Sequence, residues 1–245
     1  MIKGVILAGG NGTRMYPLTR VTNKHLLAIY DKPVIYYAIE KLIDVGVERI
    51  MIVTSPTHIG SFAHLLGSGQ EFRSPKTGKQ IQIVYGIQNQ PNGLAYALYI
   101  AREYVGNDHC LLYLGDNLFE DDIKKHVAEF KGGMTVFLKK VPNPKQFGIA
   151  VFNKRGDFVG VEEKPKRPKT DLAVVGLYIF DKTVFEKIDG QKPSKRGEFE
   201  ITEPINKYIK EGRAKTIILK KKWFDVGSID SLLNASIYMR NKSAR

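Results

Sequence analysis

Short β-branched apolar runs alternate along this chain with stretches in which apolar residues recur every three or four positions. That alternation predicts a largely parallel sheet covered by helices. Val5-Ile6-Leu7-Ala8 reads as the first buried strand. Asp31-Lys32-Pro33 opens a helix, since the fixed φ and missing N–H of proline suit a first turn. Val34, Ile35, Ala38, Ile39, Leu42 and Ile43 keep the 3.6-residue period, and Gly46 suits the C-terminal cap. Ile50-Met51-Ile52-Val53 is the next strand, and others are expected at 81–84, 110–114, 135–138, 174–180 and 216–219. Around Gly148-Ile149-Ala150-Val151-Phe152 the pattern changes. A turn at Asn153-Lys154-Arg155-Gly156 and a second run from Asp157 to Glu162 predict an inserted antiparallel hairpin. Strict alternation in its second arm places Val159, Val161 and Glu163 on one face, with Glu162 and Lys164 on the other.

The chain is long enough, at 245 residues, for one large α/β domain with a substantial core. No apolar run approaches the length of a membrane span. Met1-Ile2-Lys3-Gly4 leads straight into a strand-like segment without a secretory signal pattern, so the cytoplasm is the expected location. The single cysteine, Cys110, cannot form an internal disulfide and is expected to be a buried, inert thiol. A net charge of +13 suggests a polyanionic partner, which admits nucleic acid, a membrane surface or phosphorylated small molecules. The basic clusters, Lys139-Lys140, Lys164-Pro165-Lys166-Arg167-Pro168-Lys169 and Lys220-Lys221-Lys222, fall at element ends and lack interleaved stacking aromatics. They read as solvated surface, compatible with an anionic small-molecule substrate. Neither nucleic acid nor a membrane is an expected partner.

The most specific chemistry lies directly behind the first strand, in Gly9-Gly10-Asn11-Gly12-Thr13-Arg14. Glycines let successive backbone N–H groups turn toward one anion, and an arginine adds a permanent fork of donors. A Walker-type loop would need Gly-Lys-Ser/Thr after four spacers, and a dinucleotide-binding turn would need a third glycine where Met15 stands. Pro17 discourages an immediate helix, so the loop is free to drape over a phosphate ligand.

The complete string, continued by Met15-Tyr16-Pro17-Leu18-Thr19 and by Lys24, resembles the signature of the sugar-1-phosphate nucleotidylyltransferases, Gly-Gly-x-Gly-Thr-Arg-Leu-x-Pro-Leu-Thr. Tyr30-Asp31-Lys32-Pro33, Leu114-Gly115-Asp116-Asn117, Glu162-Glu163-Lys164-Pro165, Arg196-Gly197-Glu198-Phe199-Glu200-Ile201-Thr202 and Trp223-Phe224-Asp225-Val226-Gly227 follow in family order. The likeness therefore covers nearly the whole chain. It departs at Met15, where Leu is usual, at His25, where relatives have Pro or Gln, and at Ala28, where they have Pro. Longer members carry a further C-terminal helical portion associated with product feedback, whereas this sequence stops soon after a helix-like segment at 228–240.

The resemblance implies a three-layer Rossmann-like α/β fold with a mostly parallel mixed sheet. It implies a single domain, 1–245, with a nucleotide-binding half at 1–140 and a sugar-phosphate-binding half at 141–245. The likeness is nearest the thymidylyl branch, which implies dTTP and glucose-1-phosphate as substrates, Mg²⁺ as the cofactor and a homo-oligomer. UTP in place of dTTP, or a non-catalytic nucleotide-sugar sensor, are the alternatives.

By the same resemblance, Leu7, Gly9, Gly10, Asn11, Gly12, Thr13, Arg14, Gln88, Gly93 and Asp116 bind nucleotide. Gly148, Glu163, Lys164 and Val174 bind the sugar phosphate, Asp116 and Asp225 hold the metal, and Arg14, Lys24 and Asp116 serve catalysis. Each role has a plainer competitor in the residues themselves. Asp116 would otherwise be a turn or cap aspartate, although a carboxylate after a buried strand suits the ligand side of an α/β sheet. Lys24 would be a solvated lysine, Glu163 and Lys164 an exposed charged turn, Gln88 a loop amide, and Gly93 the cap of a helix starting at Leu94. Arg196 fits either the rim of the site or a structural ion pair.

Overall fold

A computed structural model describes residues 1–244 as two contact-dense units that interleave along the chain. The amino-terminal unit takes Gly4–Pro91, Tyr113–Lys124 and the residues from Lys221 onward, and the central unit takes Met1–Lys3, Asn92–Leu112 and Lys125–Lys220. The last segment returns to pair with a strand laid down much earlier.

The strand Ile2–Leu7, which belongs to the amino-terminal unit from Gly4 on, pairs in parallel with Arg49–Thr54, from Gly4 opposite Ile50 to Leu7 opposite Val53. Arg49–Thr54 pairs in parallel with Gln82–Ile87. Parallel neighbours require crossovers, and the helices Val34–Asp44 and Ile59–Leu66 lie within them. Val34–Asp44 follows an extended Pro33, and all six of its periodic apolar residues are buried. Gly46, at φ 89°, takes the left-handed position just past its end and donates its N–H to the Ile43 carbonyl at 2.9 Å. A two-stranded antiparallel ribbon joins Asn117–Phe119 to Trp223–Asp225. The helix Ile229–Ser243 follows, opened by the reciprocal cap of Ser228 and Ser231. Its inner face adds Leu232, Ala235 and Met239 to a cluster with Ile29, Val34, Leu118 and Val226.

The central unit is mixed. Leu172–Phe180 runs antiparallel to Met134–Lys140, which pairs in parallel with Ala214–Ile218. The expected hairpin is present as Gly148–Phe152 against Phe158–Glu163. Its second arm does not alternate as expected. The register shifts between Phe158 and Gly160, which leaves Val159 48% exposed while Val161 is 5% exposed. An extra residue at a bulge turns the next side chain to the other face, so Val159 does not share the inner face of Val161. The helix Thr202–Lys210 packs on this arm, and the Asn206 carboxamide both donates to and accepts from the Val161 backbone, at 3.0 and 2.8 Å.

The fold is thus mixed α/β with a mostly parallel central sheet and added antiparallel pairs. The strand His109–Leu114 belongs to the central unit through Leu112 and to the amino-terminal unit from Tyr113. Within it Cys110 is fully buried, and burial pushes its thiol far above the ordinary range. Among the described residues no helix is long and apolar enough to cross a membrane.

Candidate active site

In the amino-terminal unit the first strand ends in a loop that only glycine can form as it stands. Gly10 and Gly12 have φ of 91° and 59°, in the left-handed region, and a short turn at Thr13–Met15 follows. A Cβ on Gly12 would also lie 3.0 Å from the Thr19 side chain, whose hydroxyl donates to the Gly12 carbonyl at 2.7 Å. Gly9 faces Gln88 closely, since a Cβ there would lie 3.1 Å from the Gln88 side-chain oxygen. Gln88 is buried, and its backbone N–H donates to Thr54 at 2.8 Å. Gly9, Gly10 and Asn11 of the loop line a cavity of about 640 Å³ with Gln88, Tyr16, Arg20 and His58.

Lys24 and Asp116 form an ion pair in the same unit, with side chains only 15% and 14% exposed. The Asp116 segment is held at both ends: Gly115 donates its N–H to the Leu7 carbonyl at 2.9 Å, and Val226 donates to the Asp116 carbonyl at 2.8 Å. The other Asp116 carboxylate oxygen accepts from the Asn117 amide at 2.8 Å. Burial by itself would raise the Asp116 pKa, but the Lys24 ammonium and these donors outweigh it and hold the carboxyl below its usual range.

Asp225 stands opposite Asn117 in the antiparallel ribbon, so the chain neighbour of Asp116 brings the second carboxylate alongside. Arg14 reaches the same place. A Cβ on Gly227 would lie 2.6 Å from a guanidinium nitrogen of Arg14 and 3.3 Å from Asp225 Oδ1. Arg14, Lys24, Gln88, Asp116 and Asp225 thus gather within one unit from well-separated stretches of sequence. Among the described residues no group of three or more His, Cys, Asp or Glu forms a metal cluster. Two carboxylates are nonetheless a fitting protein share for magnesium, which keeps waters and takes substrate phosphate oxygens.

Sequence reasoning assigned no role to the buried polar residues near this pair, and noted His25 only as a departure from the family signature. Asn23 and His25 are 2% and 1% exposed, and Thr54 is fully buried. Asn23 precedes the short turn Lys24–Leu26 as its N-cap, which is the one signal that could have found it. His25 is pushed down to about 3, chiefly by burial and then by the Lys24 ammonium, with Asp116 opposing; it is a neutral imidazole at neutral pH.

The central unit gathers the other set. Gly148 stands opposite Glu163 in the hairpin, and a Cβ on it would lie 3.2 Å from the Glu163 carboxylate. Ala173, the neighbour of buried Val174, pairs with Ile149, which places Val174 beside the same strand. Lys164 has φ 41° and donates its N–H to the Phe147 carbonyl at 3.1 Å, so the chain bends just before Pro165. Arg196 is an ion-pair partner: it reaches Glu163 and Glu200 at 3.3 Å and Glu198 at 3.2 Å. Burial, then the repulsion of Glu200, raise the Glu163 carboxyl above its ordinary range against the pull of Lys164 and Arg196. Gly93 lies in this unit too, capping Leu94–Tyr99, where a Cβ would sit 2.6 Å from the Phe199 carbonyl. That close backbone approach explains the glycine without a ligand.

A glycine loop closed by an arginine, a lysine–aspartate pair and a second aspartate suit transfer of a nucleotidyl group, and the sequence matches the Nucleotidyl transferase family over residues 3–242. The chain belongs to that family. It is 42% identical to the glucose-1-phosphate thymidylyltransferase of Neisseria meningitidis, over 98% of this chain and 83% of that protein. It is 40% identical to the glucose-1-phosphate thymidylyltransferase of Mycolicibacterium smegmatis, over 100% of this chain and 84% of that protein. A Bacillus anthracis structure assigned the same activity, in complex with a sucrose, superposes with a TM-score of 0.90 at 43% identity, covering 98% of this chain and 96% of that one. A UDP-glucose pyrophosphorylase complexed with UDP-glucose superposes with a TM-score of 0.85 at 27% identity, covering 99% and 100%.

Proposed function

We propose that this protein transfers a thymidylyl group from dTTP to glucose-1-phosphate, giving dTDP-glucose and pyrophosphate. The observation that carries the reading is the Lys24–Asp116 pair beside the glycine loop, with Arg14 and Asp225 at the same place, in a chain alike over its length to thymidylyltransferases.

In the reaction a glucose-1-phosphate oxygen attacks the α-phosphorus of dTTP in line, the bond from that phosphorus to the α,β-bridging oxygen breaks, and pyrophosphate departs with the electron pair. A phosphate monoester is ionised near neutral pH, so no general base is needed at this step. Both reactants are anions, and the protein's task is to hold them together and oppose their charge. The amides of Gly9, Gly10, Asn11, Gly12 and Thr13, with Arg14, cradle the triphosphate. Lys24 supplies positive charge at the α-phosphate. Leu7 and Gly10 flank the base, and the Gln88 amide can both donate to and accept from a pyrimidine edge. Gly148 and Val174 shape the sugar subsite, Glu163 accepts from a sugar hydroxyl, and Lys164 holds the attacking phosphate.

Asp116 and Asp225 are the residues that would hold Mg²⁺, which when bound offsets negative charge on the phosphates. Removal of the metal by a chelator should abolish turnover and leave the fold intact.

A pyrophosphate-release panel crossing dTTP, UTP, ATP, CTP and GTP with several sugar-1-phosphates in Mg²⁺ tests the assignment. dTTP with glucose-1-phosphate should give the highest kcat/KM. A higher value with UTP would move the protein to uridylyl transfer, and no release with any pair would make it a binding protein.

A further inference from the structure

Lys24 can work only if its ammonium is held at one place, yet the turn that carries it, Lys24–Leu26, is three residues long. The atoms that fix it are buried. Both ends of the Asn23 carboxamide are engaged: Nδ2 donates to the Ala8 carbonyl at 3.2 Å, and Oδ1 accepts the His25 backbone N–H at 2.9 Å and meets His25 Nδ1 at 2.6 Å. Because Ala8 offers only an acceptor, the amide can face one way. Oδ1 must then face the imidazole, so Nδ1 carries the proton of the neutral ring. The Ala8 carbonyl also accepts the Thr54 hydroxyl at 3.0 Å, and the Ala8 N–H donates to Val53 at 2.8 Å. One side chain therefore ties Ala8, the residue just before the glycine loop, to the backbone and the ring of His25, the residue that follows Lys24. On its far side the imidazole abuts Gly115, where a Cβ would lie 2.9 Å from His25 Cδ2, and Gly115 precedes Asp116. Asn23 and His25 thus bridge the two chain segments that carry Lys24 and Asp116.

We propose that Asn23 is a positioning residue, acting through His25 to set the Lys24 ammonium against Asp116 before substrate arrives. The inference rests on the reading of Lys24 as the cation at the α-phosphate. Asn23 needs no contact with substrate to do this. A polar group so thoroughly buried is tolerated because both its nitrogen and its oxygen are hydrogen-bonded. The cost of losing it falls on the segment it orients.

A double-mutant cycle between Asn23→Ala and Lys24→Ala tests the proposal by kcat/KM for dTTP at saturating glucose-1-phosphate. Asn23→Ala is expected to lose on the order of 10- to 100-fold, mostly in kcat, with the KM for glucose-1-phosphate within about threefold of wild type, as lost preorganisation predicts. Added to Lys24→Ala, it should cost no more than about a further threefold, because the group it positions is already gone. Multiplying losses would overturn the proposal, as would an Asn23→Ala enzyme within about twofold of wild type.

Labelling of the substrate-free protein by reductive methylation, read residue by residue by mass spectrometry, separates this inference from the assigned reaction. Lys24 should react several-fold faster in Asn23→Ala than in wild type while the exposed lysines keep their rates; equal Lys24 rates would overturn the proposal whatever the wild-type protein catalyses. Should Asn23→Ala fail to fold, Asn23→Asp carries both measurements, since it keeps the Oδ1 acceptor and loses the donor to Ala8. It should show the same lack of additivity with Lys24→Ala, and additive losses would overturn the proposal.

Discussion

The two units treat charge in opposite ways. In the amino-terminal unit, Lys24 neutralises Asp116 and Arg14 reaches the neighbourhood of Asp225, so each acid there has a cation close by. In the central unit three carboxylates, Glu163, Glu198 and Glu200, share the single guanidinium of Arg196. The result is visible in the direction of titration. Opposite charge holds Asp116 low, while burial and a like charge push Glu163 high. Preorganised pairing fits a place that must oppose phosphate charge. An acid crowded by other acids fits a place that must meet a neutral hydroxyl.

The contrast is broken most severely by removing its cation. Lys24→Ala should cost about 3–4 kcal/mol of barrier, on the order of 10²–10³ in kcat/KM, as loss of one preorganised charge does. Arg14→Ala should behave similarly, and turnover equal to wild type in either variant would remove the role given to that residue.

The next largest effect concerns stability and lies away from both acid clusters. Asp181, buried in the central unit, accepts from the Gly133 N–H at 2.6 Å, from Arg213 at 2.5 Å, from the Thr183 hydroxyl at 2.6 Å and from the Tyr208 hydroxyl at 2.7 Å. Asp181→Asn should lower unfolding free energy by about 2–3 kcal/mol, since hydrogen bonds to a charged group are lost. Burial alone would raise the Asp181 carboxyl, but these donors bring it below its ordinary value. A carboxyl with a lowered folded-state pKa stabilises the fold fully above its unfolded pKa, and the contribution disappears as pH falls through the folded value. Denaturant unfolding from pH 7 downward should therefore show the wild type losing its advantage over Asp181→Asn in acid; a constant difference would contradict the account.

Glu163→Gln should have a smaller and more selective effect, raising the KM for glucose-1-phosphate on the order of tenfold, for about 1.4 kcal/mol. Because the Glu163 pKa is raised, protonation sets in at higher pH than for an ordinary carboxylate. The wild-type KM for glucose-1-phosphate should climb on the acid side from that higher pH, and the Gln variant should not follow it. The smallest effect tests the hairpin. Val159→Thr, on the exposed side of the bulge, should change stability by no more than about 0.5 kcal/mol in denaturant unfolding, whereas Val161→Thr should cost on the order of 1–3 kcal/mol for burying a hydroxyl.

The regular elements were legible because their periodicity is a direct record of burial. The six apolar positions of Val34–Asp44 and the run from Val5 to Ala8 are buried as their spacing requires. The glycine loop was legible because left-handed backbone restricts residue choice, and Gly10 and Gly12 adopt it. The bulge was not legible: alternation carries no sign of one extra residue, and only the Phe158–Gly160 register shift exposes Val159. Spacing could not pair Asp116 with Asp225, since the ribbon that aligns them joins residues more than a hundred positions apart. The Asn23–His25–Ala8 contacts were hidden for another reason. A buried amide differs from a loop amide only in what surrounds it, and that is a tertiary property.

That long-range ribbon has a consequence for how the protein is made. Translation delivers the parallel strands, the glycine loop, Lys24 and Asp116 of the amino-terminal unit early, then the whole stretch from Lys125 to Lys220 of the central unit. Only afterwards does Trp223–Asp225 emerge to close against Asn117–Phe119. Until then the strand partner of Asn117–Phe119 is missing, and Leu118 lacks the Val226 and Ala235 that cover it in the finished protein. Nascent chains stalled before Trp223 should expose this apolar surface and engage holding chaperones, and release of the last segment should end that engagement. The carboxylate of Asp225 is thus among the last groups of the site to be synthesised, so a ribosome-bound intermediate can carry the loop and its lysine while still lacking the second acid.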